Sequence, residues 1–135
     1  NYAILNPKTV YPNIDFSGRT LIPVRQGYTK CSVVPVTENA IITDDVSIAS
    51  AAEKSGLAVL LVSKGDVILP GRENGFIGGC CGLIAPDTML FNGSLTSHRD
   101  GEKIRAFLSS FGVRAEEAGD FQLTDIGSIL PLAEK

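Results

Sequence analysis

The run Cys31–Gly56, CSVVPVTENAIITDDVSIASAAEKSG, decides how the fold is read. Two short apolar stretches flank the turn residues Thr37-Glu38-Asn39, the pattern of a hairpin. Asp44 or Asp45 then stands where a helix cap belongs; Ile48, Ala51 and Ala52 make one apolar face, and Gly56 ends the helix. LAVLLV (57–62) follows as a buried strand and GDVILPG (65–71) as a shorter one. The unit is β-β-α-β.

The same unit recurs further along the chain. CGLIAPDTMLFNG (81–93) again predicts two strands, turning at Pro86-Asp87. DGEKIRAFLSSFG (100–112) carries Ile104, Phe107, Leu108 and Phe111 at the spacing of a buried helical stripe. Three correspondences run in order: Cys31 with Cys81, Ser55-Gly56-Leu57 with Phe111-Gly112-Val113, and Gly65-Asp66-Val67 with Gly119-Asp120-Phe121. One such unit cannot bury both faces of its sheet, so neighbouring copies must pack together.

The flanks fit this frame. TLIPVR (20–25) reads as the last strand of a preceding unit whose front half is missing, and residues 1–19 as an irregular lead-in. GSILPL (127–132) reads as the first strand of a following unit. The expected division is a lead-in and partial unit over 1–30, a first unit over 31–79, a second over 80–126 and the start of another over 127–135. All belong to one domain. The chain opens at Asn1 without methionine, which is expected of a segment of a larger array.

With 135 residues, 44% hydrophobic and 20% charged, the chain is long enough to bury a core. A net charge of −3 without a Lys/Arg cluster argues against gripping nucleic-acid phosphates. The longest apolar run, Leu57–Val62, is far too short to span a bilayer, and no signal peptide is visible. Three cysteines, two of them adjacent, do not make a secreted disulfide framework, so a reducing, cytoplasmic setting is expected. Adjacent cysteines also lack the usual zinc spacing; neither a metal nor a cofactor is expected.

FIGG (76–79) and TMLFNGSLTSHRDGEKIRAFLSSFG (88–112) resemble the guanidino-group-modifying enzyme superfamily of arginine deiminases, dimethylarginine dimethylaminohydrolases and amidinotransferases. QGYTKCSVVPV (26–36), ILPGRENGFIGG (68–79) and DIGSILPL (125–132) are similar to an uncharacterised bacterial branch of that fold. The resemblance implies an α/β propeller of five β-β-α-β units, of which this chain is a partial ring of about two complete ones. It also implies a cysteine that attacks a guanidinium carbon, a histidine acid/base and carboxylates that pair the cation. Where the superfamily places a carboxylate after Gly-Gly, this chain has Cys80; where it places the histidine, this chain has Tyr28-Thr29-Lys30.

Cys80 and His98 are therefore the catalytic candidates. Alternation is expected to turn one of the adjacent pair inward and the other outward; Cys81, like Cys31 at a strand start, reads as buried filler, and a functional role is left to Cys80. His98, between Ser97 and Arg99, reads as an exposed helix start, and Asp44 and Asp45 as capping residues. The loop at 70–75 offers Arg72, Glu73 and Asn74 as ligand contacts. The resemblance brings them to a central channel with Gly78, Gly79, Asp125 and Ser128. The expected function is binding of a small polar or guanidinium-like ligand at the propeller axis without the usual catalytic set. The alternatives are a cysteine-dependent guanidine hydrolase or amidinotransferase, and a structural or partner-binding domain. The expected partners are such a ligand and either the remainder of the ring or another copy of the chain.

Overall fold

The computed structural model describes residues 2–133. In chain order the elements are β1 (Tyr2–Leu5), β2 (Thr20–Pro23), α1 (Thr29–Ser32), β3 (Val33–Thr37), β4 (Ala40–Thr43), α2 (Val46–Lys54) and β5 (Ala58–Leu61). They continue with β6 (Cys81–Ala85), β7 (Thr88–Phe91), α3 (Gly101–Ser110) and β8 (Arg114–Glu117). The architecture is mixed α/β, with three small sheets ordered β1-β2, β3-β4-β5 and β6-β7-β8.

Two sheets share one topology. β3 runs antiparallel to β4, which runs parallel to β5, and β6, β7 and β8 repeat the pattern. The register corrects one expected correspondence. Val33 pairs with Thr43, and Cys81 with Phe91, so Cys81 stands where the first unit has Val33. Cys31 lies in α1, whose counterpart is the 3-10 turn Ile77–Gly79. The strand starts only after this coil, which slips the cysteine match by two residues.

The Gly-Asp match slips as well. Val67 is buried, whereas Phe121 is 48% exposed. Val67 instead matches Leu123, also buried, and Gly71 matches Gly127, both left-handed at φ +81° and +85°. The short strands expected there reduce to single bridges, Ile68 to Thr124 and Ser94 to Gln122. Ile68 N–H donates to Leu123 O at 2.8 Å and Asp125 N–H to Ile68 O at 2.7 Å, so these segments stitch the two units together.

The lead-in is not irregular throughout. Tyr2–Leu5 forms a strand parallel to β2. Val24 N–H donates to Leu5 O at 2.9 Å, as Val62 does to Thr43 O and Ala118 to Phe91 O. The β1-β2 sheet therefore holds the second and last strands of the same unit. The segment 127–132 forms no ladder, but the Ser128 and Ile129 N–H groups donate to Gly79 O and Cys81 O.

The helices form where local chemistry asks for them. Asp45 Oδ1 accepts from the Ser47 and Ile48 N–H groups at 2.9 and 3.0 Å, and Gly56 ends α2 at φ +92°. Ile48, Ala49 and Ala52 are its buried face. In α3, Ile104 and Leu108 are buried, Phe107 is half-buried, and Phe111 reaches the rim with its ring 5.0 Å from that of Phe107.

β4 is a central strand, so alternation sends its neighbours into different cores. Ile42 joins Val34, Met89, Phe91, Ile104 and Leu123 between the two units, while Ile41 joins Ile22, Ile48 and Leu57 against β2. Each such side chain contributes about 1.5–3 kcal/mol on burial. β5 is an edge strand rather than a buried one, half-covered and with Leu61 45% exposed. Among the described residues no helix is long and apolar enough to cross a membrane.

Candidate functional site

The starts of β3 and β6 meet, and Gly78-Gly79 is where they touch. A Cβ on Gly78 would stand 2.6, 2.7 and 2.9 Å from the carbonyl oxygens of Cys31, Val33 and Lys30. On Gly79 it would stand 2.0 Å from Asp125 Oδ1. Neither glycine has a positive φ. They are needed for close approach, one of backbone and one of a carboxylate.

That carboxylate is pinned from two sides. Asp125 Oδ2 accepts from Phe76 N–H and its Oδ1 from Gly127 N–H, both at 2.9 Å. The next amide, Ile77 N–H, donates at 3.0 Å to Oδ2 of Asp44, a residue of the first unit. Consecutive amides fix the two carboxylates within roughly 10 Å of each other. Asp44 is thus no cap. Asp45 takes that role, and Asp44 turns inward, 5% exposed.

Asp44 Oδ1 is buried and has no hydrogen-bond partner among the described residues; Ser32 Oγ is in the same condition. Ser32, the last residue of α1, and Asp44, just past β4, lie one step beyond the Val33–Thr43 pair at the end of the ladder. Burial pushes the Asp44 carboxyl above the ordinary range, against the Ile77 N–H and the charge of Lys64. Cys31 beside them is half-buried, and its thiol is pushed up by burial first and then by the negative charge of Asp125.

The second unit shows what the same positions look like when satisfied. Cys80 and Asn92 replace Ser32 and Asp44 there. Asn92 N–H donates to Cys80 O at 2.7 Å, and its Nδ2 donates to Thr124 O at 3.0 Å. Polar groups without partners distinguish the first unit.

A groove of about 680 Å³ runs past this place. Tyr2 and Ile4 of β1, Val33 and Val34 of β3, and Ile129 and Leu130 are among the residues that line it. Gly78 and Ser128 border both groove and site. Ser128 holds φ at +92°, unusual for a residue with a side chain. Its Oγ donates to Gly78 O at 2.7 Å and its N–H to Gly79 O at 2.9 Å, which maintains that conformation.

Gly78, Gly79, Asp125 and Ser128 thus come together as expected from the sequence, but other candidates do not join them. Cys80 is sealed in the core, 0% exposed, its Sγ donating to Ile77 O at 3.2 Å. Cys81 is buried too, 3% exposed, so the pair does not alternate between core and solvent. The hydrogen bond with the neighbouring Cys80 thiol, and then burial, raise Cys81 well above the usual thiol range.

His98 is not an exposed helix start. The turn Leu95–Ser97 folds it inward to 5% exposure, with Nδ1 accepting from Asp100 N–H at 2.9 Å. That nitrogen therefore carries no proton in the neutral ring, and its 3.9 Å approach to Asp66 Oδ2 is not an ion pair. His98 belongs to a clasp between the units. Arg99 holds Asp66 through Nε and Nη2 at 2.9 and 3.0 Å and through its N–H at 2.8 Å, while Ser63 N–H donates to Asp100 at 2.7 Å.

Arg72 and Glu73 are exposed and make no side-chain hydrogen bond or ion pair among the described residues. Asn74 turns back onto Gly75 O at 3.1 Å. The loop supports the site only at Gly75, where a Cβ would stand 2.6 Å from Asp125 Cβ. Asp44, Ser32 and Cys31 are the site residues the sequence reading overlooked. The signal was the Asp-Asp pair, since one helix start uses a single cap. Among the described residues no group of three His, Cys, Asp or Glu side chains is placed to hold a metal.

No curated protein and no solved structure matches the chain. Residues 1–130 match the Family of unknown function (DUF6873), and the chain belongs to that family.

Proposed function

We propose that the protein binds a small polar ligand bearing a cationic nitrogen group, guanidinium-like in shape, between Asp44 and Asp125. The observation that carries this reading is Asp44 Oδ1, buried without a donor among the described residues, one step past the same ladder end as the likewise unpartnered Ser32 Oγ. A buried carboxylate is costly unless a charged donor meets it, and a planar guanidinium offers several N–H groups at once. The fold reading that goes with it is the α/β propeller, with first strands gathered about a common axis and the site at their starts. Cys31 is the thiol beside the pair, and its raised pKa keeps it protonated, which favours binding over cysteine-driven hydrolysis or amidine transfer.

A thermal-shift series tests the reading. Methylguanidine, agmatine and arginine at millimolar concentration are expected to raise the melting temperature, whereas citrulline, the uncharged counterpart of arginine, is not. Asp44→Asn is expected to abolish the shift. Equal shifts with charged and uncharged ligands, or none with any of them, would remove the proposal.

A further inference from the structure

Asp44 Oδ1 is buried, so a ligand that meets it needs a way in. Asp44 and Asp45 are chain neighbours, as are Phe76 and Ile77, and two connections run between these pairs. In one, Asp44 Oδ2 accepts from Ile77 N–H at 3.0 Å, and Asp44 is buried. The other starts at Asp45 Oδ2, which accepts from Gln26 Nε2 at 3.4 Å. Gln26 Oε1 in turn accepts from Tyr28 N–H at 3.1 Å, and the Tyr28 ring lies 6.1 Å from that of Phe76, tilted by 32°. Tyr28 is 69% exposed, so this second connection is the outer one.

The outer connection is held loosely. Its link to Asp45 is longer than the roughly 2.7–3.2 Å of a firm N–H···O bond. β2 ends at Pro23 and α1 begins at Thr29, so no ladder or helix holds Gln26–Tyr28. A Cβ on Gly27 would meet nothing within 4 Å. Tyr28 O accepts from Ser32 N–H at 3.0 Å, which fixes the backbone below the ring and leaves the ring free to turn away from Phe76. The two rings also stand at matching places: Tyr28 precedes α1, which ends at Ser32, and Phe76 precedes the 3-10 turn at Ile77–Gly79. The charge of Lys64 reaches Asp44, but the two form no ion pair among the described residues.

We infer that Gln26–Tyr28 is the gate of the Asp44 site, and that the Tyr28 ring opens to admit the ligand and then closes on it as a cation–π wall; this rests on the binding reading proposed above. The face of an aromatic ring carries the negative end of its quadrupole, so the group that closes the site also selects positive charge. Closing it removes water from the Asp44 carboxylate and strengthens its hold on the cation. Tyr28 is thus a specificity-determining residue, and its ring rather than its hydroxyl does the selecting.

The test uses agmatine as the probe on the full chain. Tyr28→Phe keeps the ring and should bind agmatine within about twofold of the unmodified chain, whereas Tyr28→Ala should bind it about fivefold or more weakly by calorimetry. Proton line shapes of agmatine should show faster exchange with Tyr28→Ala, and the melting temperature of the free variant should be unchanged because the position is exposed. The chain has no tryptophan, so Tyr28→Trp gives a single reporter at the gate, and its emission should change along the calorimetric binding curve. If Tyr28→Ala lowers the melting temperature of the free chain, this reporter decides alone. Equal affinity and exchange in a folded Tyr28→Ala, or a reporter whose emission ignores saturating agmatine, would overturn the gate and leave the Asp44 reading standing. No binding of agmatine by the unmodified chain would remove both.

Discussion

Asp44 and Asp125 belong to different units, yet their carboxylates rest on consecutive amides, Ile77 N–H at 3.0 Å and Phe76 N–H at 2.9 Å. The turn between Phe76 and Gly79 is therefore one of the places where the two units are joined, beside the Arg99–Asp66 clasp. Each Asp125 oxygen accepts one hydrogen bond, whereas only one oxygen of Asp44 does. This imbalance is the observation on which the proposed binding site rests.

The glycine contact comes first. Gly79→Ala places a methyl 2.0 Å from Asp125 Oδ1 and is expected to cost about 2–3 kcal/mol, the upper part of the overpacking range. Asp125→Ala removes the obstruction, so the double variant should be less destabilised than the sum of the two single ones. Gly27→Ala, with open space around it, is the control. Urea unfolding of the four chains measures the cycle, and strict additivity would mean that the two residues do not share that space.

Two aspartates should give opposite pH signatures. The Asp44 pKa is raised in the folded state, so its contribution is fully present below the unfolded value of 3.8 and is lost as pH rises through the folded value. Asp44→Asn removes this dependence and should stabilise the free protein at pH 7, by about 1 kcal/mol, with the advantage vanishing towards pH 3. Chemical unfolding at both pH values checks the sign.

Asp66 is lowered to about 2 by its hydrogen bonds with Arg99. Its contribution is present above 3.8 and lost as pH falls towards 2. Because Arg99 is 61% exposed, Asp66→Asn should cost at most about 1 kcal/mol at pH 7, and only a small part of that at pH 2. A cost that persists unchanged at pH 2 would show that the clasp owes nothing to the charge of Asp66.

Thiol labelling separates the three cysteines. Cys31 is half-buried and should react slowly in the folded protein, since its raised pKa leaves little thiolate. Cys80 and Cys81 should react only after denaturation. A single modification at Cys31, located by mass spectrometry, is the expected pattern; rapid native labelling of Cys80 would contradict its burial.

Local pattern made much of this legible. The turns at Glu38-Asn39 and Pro86-Asp87 lie between β3 and β4 and between β6 and β7, and the faces of α2 and α3 follow from helical spacing. β1 was hidden because Tyr2–Leu5 is four residues long, and the strand that pairs with it lies beyond a stretch rich in turns. Gly78, Gly79, Asp125 and Ser128 could be grouped only through the resemblance, because their spacing in the chain does not bring them together. Asp44 could not, because next to Asp45 it looks like any acid ahead of a helix; only the approach of Ile77 reveals its other use. The depths of Cys80 and His98 were set by packing from distant segments, which no local pattern encodes.

The measurement closest to the central claim is isothermal titration calorimetry of agmatine into the unmodified chain, Asp44→Asn and Asp125→Asn. The account predicts saturable binding to the unmodified chain at one site per copy. It predicts at least tenfold weaker binding in each variant, because each loses one carboxylate facing the cation. Undiminished affinity in Asp44→Asn, in a variant that remains folded, would contradict the assignment of the site.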